Sequence, residues 1–236
     1  MPLFVPPPGY PRVKVVGSFD ELVTTPFGNG VNALCWPRAL VGDFDEIARK
    51  LQVSDEINTL DEARLHALSL SDAGQAARAV LLQDQQMLRA CGLDPVLDCI
   101  RSGLRPEDDG PVPTHVYSFH ADSATAPADT YLCSYNEVSS EGLRNEDAVK
   151  RVDVPETRAA LLEAFGGEDD EDFLEYLNDN HFDLHYVSLP GAKLFSFGLG
   201  NLWRIAIEYP GCPVPPCIHR APTTQPGQSS RLLLLS

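Results

Sequence analysis

The sequence predicts an α+β protein in which helices pack against a β-sandwich or barrel. Three observations predict it. Capping signals and helix-period apolar spacing crowd residues 43–103, and strand-like alternating runs dominate after residue 114. A turn-rich break, RPEDDGPVP at 105–113, separates the two. With 236 residues, 43% of them apolar, the chain can bury one sizeable core, and it reads as a single domain over 1–236. Residues 13–103 supply N-terminal strands and supporting helices. Residues 114–236 supply the β core, with a helical insertion at about 140–180.

The opening MPLFVPPPGYP is a proline-rich lead-in without the basic-then-apolar pattern of a secretion signal. RVKVVGSF and VNALCWP predict short strands, their β-branched and apolar residues interrupted by Gly and Pro. DFDEIARKL predicts a helix capped by Asp43 with Glu46 three residues later, and TLDEARLHALSL repeats the device with Thr59 and Glu62. SDAGQAARAVLLQDQQMLRACG carries apolar residues at helical spacing and stops at Gly92. DPVLDCIRSG predicts a further helix, with Asp94 as cap, Pro95 in the first turn and Gly103 as stop. THVYSFHAD and TYLCSYN are strand-like. Asp153 is the expected cap of VPETRAALLEAF, and DDEDFLEYLNDN predicts a second short helix. FDLHYVSL, AKLFSFGLG, LWRIAIEY, PCIHRAP and RLLLL return to strand.

The formal net charge is −16. So acidic a surface repels phosphate backbones and argues against nucleic acid or an anionic membrane as partner, leaving a small molecule or a basic peptide. No apolar run reaches the roughly 18–20 residues of a membrane span. The expected location is cytoplasmic. The six cysteines show no CxxC spacing, so free and mostly buried thiols are expected; Cys212 and Cys217, flanking PVPP, are near enough in sequence to pair in principle.

The chemistry concentrates in FHAD. Residues i and i+2 of a strand point to the same side, so His120 and Asp122 project together and can take two adjacent positions on one metal. His219, between prolines in PPCIHRAP, is the best third ligand. Two histidines and one carboxylate with open positions form the facial triad of non-haem Fe(II) oxygenases. Arg231 begins the final run RLLLLS, where Arg231, Leu233 and Leu235 share one face. An inward arginine is costly unless paired, and a dicarboxylate ligand supplies a bidentate partner.

This order of HxD, a distant His and then an Arg, all on strands of the C-terminal half, resembles the 2-oxoglutarate- and Fe(II)-dependent dioxygenase superfamily. The layout VNALCWPRAL…FHAD…TYLCSY…HRAP…RLLLLS also resembles an uncharacterised bacterial family within it. The resemblance covers roughly residues 114–236. It implies a double-stranded β-helix, or jelly roll, with the helical block packed against it. It also implies Fe(II) on His120, Asp122 and His219, with O2 and 2-oxoglutarate as co-substrates. Arg231 is then the anchor of the distal carboxylate, assisted by a second-strand hydroxyl: Tyr135, then Tyr131, which share a face with Cys133. The implied reaction is hydroxylation of a small molecule, amino acid or peptide, with decarboxylation of 2-oxoglutarate to succinate. The alternative is a cupin-like jelly-roll module that binds metal without turnover.

Other residues carry weaker expectations. Arg204, alternating with Trp203 and Ile205, is a candidate reader of a substrate carboxylate, with a solvated face as the alternative. Trp203 beside it, and Asn32 and Trp36 from the N-terminal side, are candidate lining residues. HFDLH, read as a strand, puts His181, Asp183 and His185 on one face as an alternative metal set. His115 has the opposite parity to His120, His66 falls on a helix, and Arg220 is expected to point away from the site into solvent or an ion pair.

Overall fold

In the computed structural model the described residues are 4–51, 53, 56–103, 111–113, 115–181 and 185–236. The elements in chain order are β1 (Val13–Val15), α1 (Phe19–Thr24), β2 (Ala33–Trp36), α2 (Phe44–Leu51), β3 (Ile57–Thr59), α3 (Glu62–His66), α4 (Asp72–Ala90) and β4 (Val96–Ile100). There follow β5 (Phe119–His120), β6 (Asp129–Ser134), β7 (Glu141–Leu143), β8 (Ala148–Lys150), α5 (Pro155–Phe165), α6 (Glu171–His181), β9 (His185–Ser188), β10 (Leu194–Ser196), β11 (Leu202–Ala206), β12 (His219–Arg220) and β13 (Arg231–Leu235).

The strands form two sheets. One has seven strands in the order β1-β2-β11-β6-β13-β4-β3, the other six in the order β10-β7-β12-β5-β9-β8. Every pairing is antiparallel except β1 with β2. The architecture is mixed α+β, as expected, and no helix among the described residues is long and apolar enough to cross a membrane.

Strand alternation divides the seven-stranded sheet into two faces. One face presents Leu34, Leu97, Cys99, Tyr131, Cys133, Tyr135, Leu232 and Leu234 to the helices, where they join Ile47, Leu65, Leu81 and Leu88 in the largest core. The other face contributes Ala33, Cys35, Leu132, Trp203 and Ile205 to a core that also takes Phe195 and Phe197. The insertion has a small core of its own around Leu161, Phe173 and Leu177.

Local chemistry fixes the helix ends. Asp43 Oδ1 accepts from Glu46 N (2.8 Å), and Ser71 caps α4 by accepting from Gly74 N (3.1 Å). Glu46 then accepts from the Ser71 hydroxyl (2.5 Å) and backbone N–H, and pairs with Lys50 (2.9 Å), so its carboxyl is held down at about 2.

Three expectations are corrected. Residues 94–103 contain β4, not a helix. Val96, Asp98 and Ile100 alternate against buried Leu97 and Cys99, and pairing with β13 and β3 on both sides outweighs the Asp-Pro and Gly signals. Thr59 ends β3, and the cap of α3 is Asp61, which accepts from Arg64 N (2.7 Å). Asp153 lies in a 3-10 turn, so α5 starts after Val154 without a side-chain cap, although it stops at Gly166 with φ 75° as a C-terminal glycine should. The region at 140–180 also holds β7 and β8, both too short for their pattern to stand out.

Candidate metal centre

His120 and His219 lie on adjacent strands of the six-stranded sheet and are register partners. The row continues on one side to Gly142 of β7 and Phe195 of β10, and on the other to His185 of β9. Directly opposed residues share a face, so three imidazoles stand side by side on one surface. Their ring centroids are 4.5 Å apart for His120–His219 and 5.9 Å for His120–His185. Gly142 makes room for the Phe195 ring, which a Cβ there would enter.

Asp122 follows the end of β5. Its backbone C=O accepts from Glu208 N (2.8 Å), tying the segment to the chain after β11. Asp122 Oδ1 is 3.8 Å from His120 Nε2, and Oδ2 is 3.9 Å from His219 Nε2. Ligand atoms of all three lie within 4.8 Å of one another, so the cluster could hold a metal ion. Ligands about 2.1 Å from one ion and adjacent to each other are about 3 Å apart. Closing from the present spacing takes only small side-chain rotations.

The imidazoles are prepared for ligation. His120 Nδ1 faces Ser118 O (2.9 Å) and His219 Nδ1 faces Cys217 O (3.3 Å). A carbonyl can only accept, so each Nδ1 carries the proton and each Nε2 is left with its lone pair turned toward Asp122. Burial, reinforced by the neighbouring His219, pushes His120 down to about 4, which keeps it neutral at neutral pH. Thr130 Oγ1 donates to Asp122 Oδ2 (2.6 Å) and orients the carboxylate. Ser118 Oγ donates to His115 O (3.1 Å), so it accepts at 2.5 Å from Nδ1 of His185.

The three residues line a cavity of about 420 Å³ with Thr130, Leu132, Ser140, Leu233 and Arg231. Arg231, Leu233 and Leu235 all face it, as the alternation predicts. Arg231 is only 4% exposed, its Nη1 is buried without a hydrogen-bond partner, and burial pushes its guanidinium down to about 10. Among the described residues no carboxylate forms an ion pair with it. A larger cavity of about 870 Å³, by the proline-rich lead-in, contains none of the triad.

Several expected site residues lie elsewhere. Tyr131 and Tyr135 face the helices, the opposite side of β6 from Thr130 and Leu132. The Tyr135 hydroxyl donates to Asp84 (2.7 Å), itself in a bidentate pair with Arg38 (2.6 and 2.8 Å). Neither tyrosine can assist Arg231; the even-numbered residues of β6 are on the cavity side, and Thr130 is the β6 hydroxyl that lines the cavity. Arg204 pairs with Asp129 (2.7 Å) and donates to Leu22, Val23 and Thr25 carbonyls at the C-terminus of α1, so it closes a helix end. Trp203 is core: its Nε1 donates to Phe197 O (2.8 Å) and its ring stacks on Phe197 at 4.3 Å. Asn32 donates to Asn145 Oδ1 and to the carbonyls of Pro215 and Pro216, pinning the loop that leads into β12. Trp36 packs against the helix-side core.

The rest are simply placed. Arg220 turns away, pairing with Glu141 (2.7 Å) and covering Phe119 at 4.4 Å. His66 is exposed at the end of α3, and His115 lies in a turn before β5. His181 ends α6 and His185 opens β9, so they do not share a strand; residues 182–184 of the alternative set lie outside the described residues. The six cysteines are free, Cys212 and Cys217 included, and Cys91 is exposed. Thr130, Ser118 and Ser140 were not anticipated; Thr130 could have been found by giving β6 the parity that points its hydroxyl at Asp122. No family model, curated protein or solved structure matches this chain.

Proposed function

We propose that this protein is an Fe(II)- and 2-oxoglutarate-dependent oxygenase, a hydroxylase, built on a double-stranded β-helix. The order in which the chain visits the two sheets supports the fold. It runs β4, β6, β11 and β13 in one and β5, β7, β10 and β12 in the other, with β11-β6-β13-β4 in one sheet and β10-β7-β12-β5 in the other. Closing the strands into such a roll leaves a cavity between the sheets, and side chains facing inward are the ones that meet there.

The observation that carries the reading is Arg231. Burying a guanidinium with an unpartnered nitrogen costs stability, and among the described residues no carboxylate compensates it. A metal-only module has no need of a cation in this cavity. A keto acid that chelates the metal at one end and presents a carboxylate at the other satisfies both features at once. The donor set also fits: two neutral imidazoles and a carboxylate with open positions suit Fe(II).

His120, Asp122 and His219 would hold the iron, which supplies the redox chemistry coupling O2 to oxidative decarboxylation of 2-oxoglutarate. The chain's own residues do the rest. The carbonyls of Ser118 and Cys217 hold the ring protons on Nδ1, Thr130 orients Asp122, and Arg231 binds the distal carboxylate. Leu132 and Leu233 exclude water from the carboxylate pair, which strengthens it.

The test is anaerobic titration of Fe(II) and then 2-oxoglutarate into the protein, followed by succinate analysis under O2. A weak visible charge-transfer band and succinate release are expected. Iron binding without any affinity for 2-oxoglutarate would replace this reading with a metal-binding module.

A further inference from the structure

We propose that the mouth of the metal cavity binds a cationic substrate with an aliphatic body, an amine or guanidinium compound. This rests on the oxygenase reading for the word substrate; the binding chemistry follows from the cavity itself.

Register gives the direction in which the cavity opens. Arg231 is opposite Ile100, and Ile100 is opposite Ile57; Leu233 is opposite Asp98, and Asp98 is opposite Thr59. The wall therefore runs from β13 across β4 to the edge strand β3. Exposure rises along it, from 4% at Arg231 to 60% at Ile57. With strands about 4.8 Å apart, the outer rim lies about 10 Å from the backbone of Arg231.

The two ends differ in chemistry. The inner end has the triad and Arg231, whose unpartnered Nη1 marks the cavity as a ligand site independently of any acidic residue. The rim has exposed apolar groups, Ile57, Val96 (39%) and Val116 (54%), beside two carboxylates, Asp94 and Asp98. Thr59 Oγ1 donates to Asp98 Oδ1 (2.8 Å) and fixes that carboxylate. Arg231 is the one cation among the described lining residues, and on the oxygenase reading the dicarboxylate co-substrate would occupy it.

A substrate at this rim thus meets apolar surface and negative charge. An anion is repelled, and a neutral polar compound leaves the carboxylates without a counter-charge. An alkyl chain carrying an ammonium or guanidinium satisfies both, and a chain of net charge −16 draws cations toward it.

The test uses three six-carbon probes, hexylamine, hexanamide and hexanoate, titrated calorimetrically into the full chain, with 2-oxoglutarate and Fe(II) titrated separately. Hexylammonium should bind about tenfold or more tighter than the neutral amide, with hexanoate weakest. Asp98→Asn and the exposed Asp94→Asn should each reduce that preference, while 2-oxoglutarate affinity stays within about twofold. Equal binding of amine and amide, or an unchanged preference in the double variant, overturns the proposal. Amine binding with no 2-oxoglutarate binding overturns the oxygenase reading and leaves the cationic mouth standing; the reverse result removes the mouth alone.

Discussion

Replacing Arg231 by methionine, of similar length but uncharged, should stabilise the empty protein while destroying co-substrate binding. The magnitude follows from the burial. A guanidinium pushed down to about 10 from its ordinary range has lost roughly 3 kcal/mol of solvation at neutral pH that no carboxylate among the described residues restores. Arg231→Met should recover about 1–3 kcal/mol of this, the remainder being offset by imperfect packing. For a chain of this size that is roughly 2–4 °C in Tm per kcal/mol. Loss of the bidentate pair should weaken 2-oxoglutarate by about 2–5 kcal/mol, or roughly 30-fold to several thousand-fold. Arg231→Lys should restore only part of it, since a point charge cannot reproduce the fork. Thermal scans with and without 2-oxoglutarate read both effects: ligand at a hundred times Kd should add about 2.7 kcal/mol to wild type and nothing to the variant. A variant that melts lower than wild type and still binds 2-oxoglutarate equally would refute the argument.

Asp122→Ala should abolish hydroxylation and reduce Fe(II) affinity at least a hundredfold, with an unchanged far-ultraviolet circular dichroism spectrum; unaltered iron binding by equilibrium dialysis would remove Asp122 from the ligand set. Thr130→Val should lower iron affinity about 10- to 100-fold through the freed carboxylate, measured by competition with a chelator. Asp84→Ala should cost about 3–5 kcal/mol in urea unfolding by stranding Arg38, whereas Tyr135→Phe should cost about 1–2 kcal/mol and leave 2-oxoglutarate affinity untouched. Glu46 is held at about 2, below its ordinary value, so its contribution is complete above about pH 4.5 and is lost as pH falls toward 2; Glu46→Gln should flatten the stability profile across that window.

The parts of the site set by local alternation were legible in the sequence. His120 and Asp122 share a side because a strand has a period of two, and Arg231, Leu233 and Leu235 follow the same rule. What was not legible depends on partners distant in sequence. β4 is flanked by the capping residues of a helix, Asp94 and Gly103, and only its ladders to β13 and β3 make it a strand. On β6, alternation gives two possible faces but does not say which is inward. Aromatic Tyr131 and Tyr135 are suited to either, and the choice falls to Phe44, which stacks on Tyr135 at 5.4 Å from the helix layer. Arg204 read as a candidate for a substrate carboxylate because its partners are distant in sequence: the Asp129 carboxylate on the paired strand, and main-chain carbonyls at the end of α1 about 180 residues earlier, as its bond to Val23 O shows.

The insertion between β7 and β10 separates the candidate ligands Asp122 and His219, which stand 97 residues apart. Closing so long a loop sounds expensive, but the entropy grows only with the logarithm of length, so halving it saves about 0.6 kcal/mol. About half of that chain can therefore be tolerated, or lost, at little thermodynamic consequence for bringing the candidate ligands together. What the insertion adds is lateral: β9 flanks β5, a strand of only two residues, on the side away from β12. Without it, the strand carrying His120 would lie at a sheet edge, and its amides would exchange with solvent at the rate of a fraying terminus.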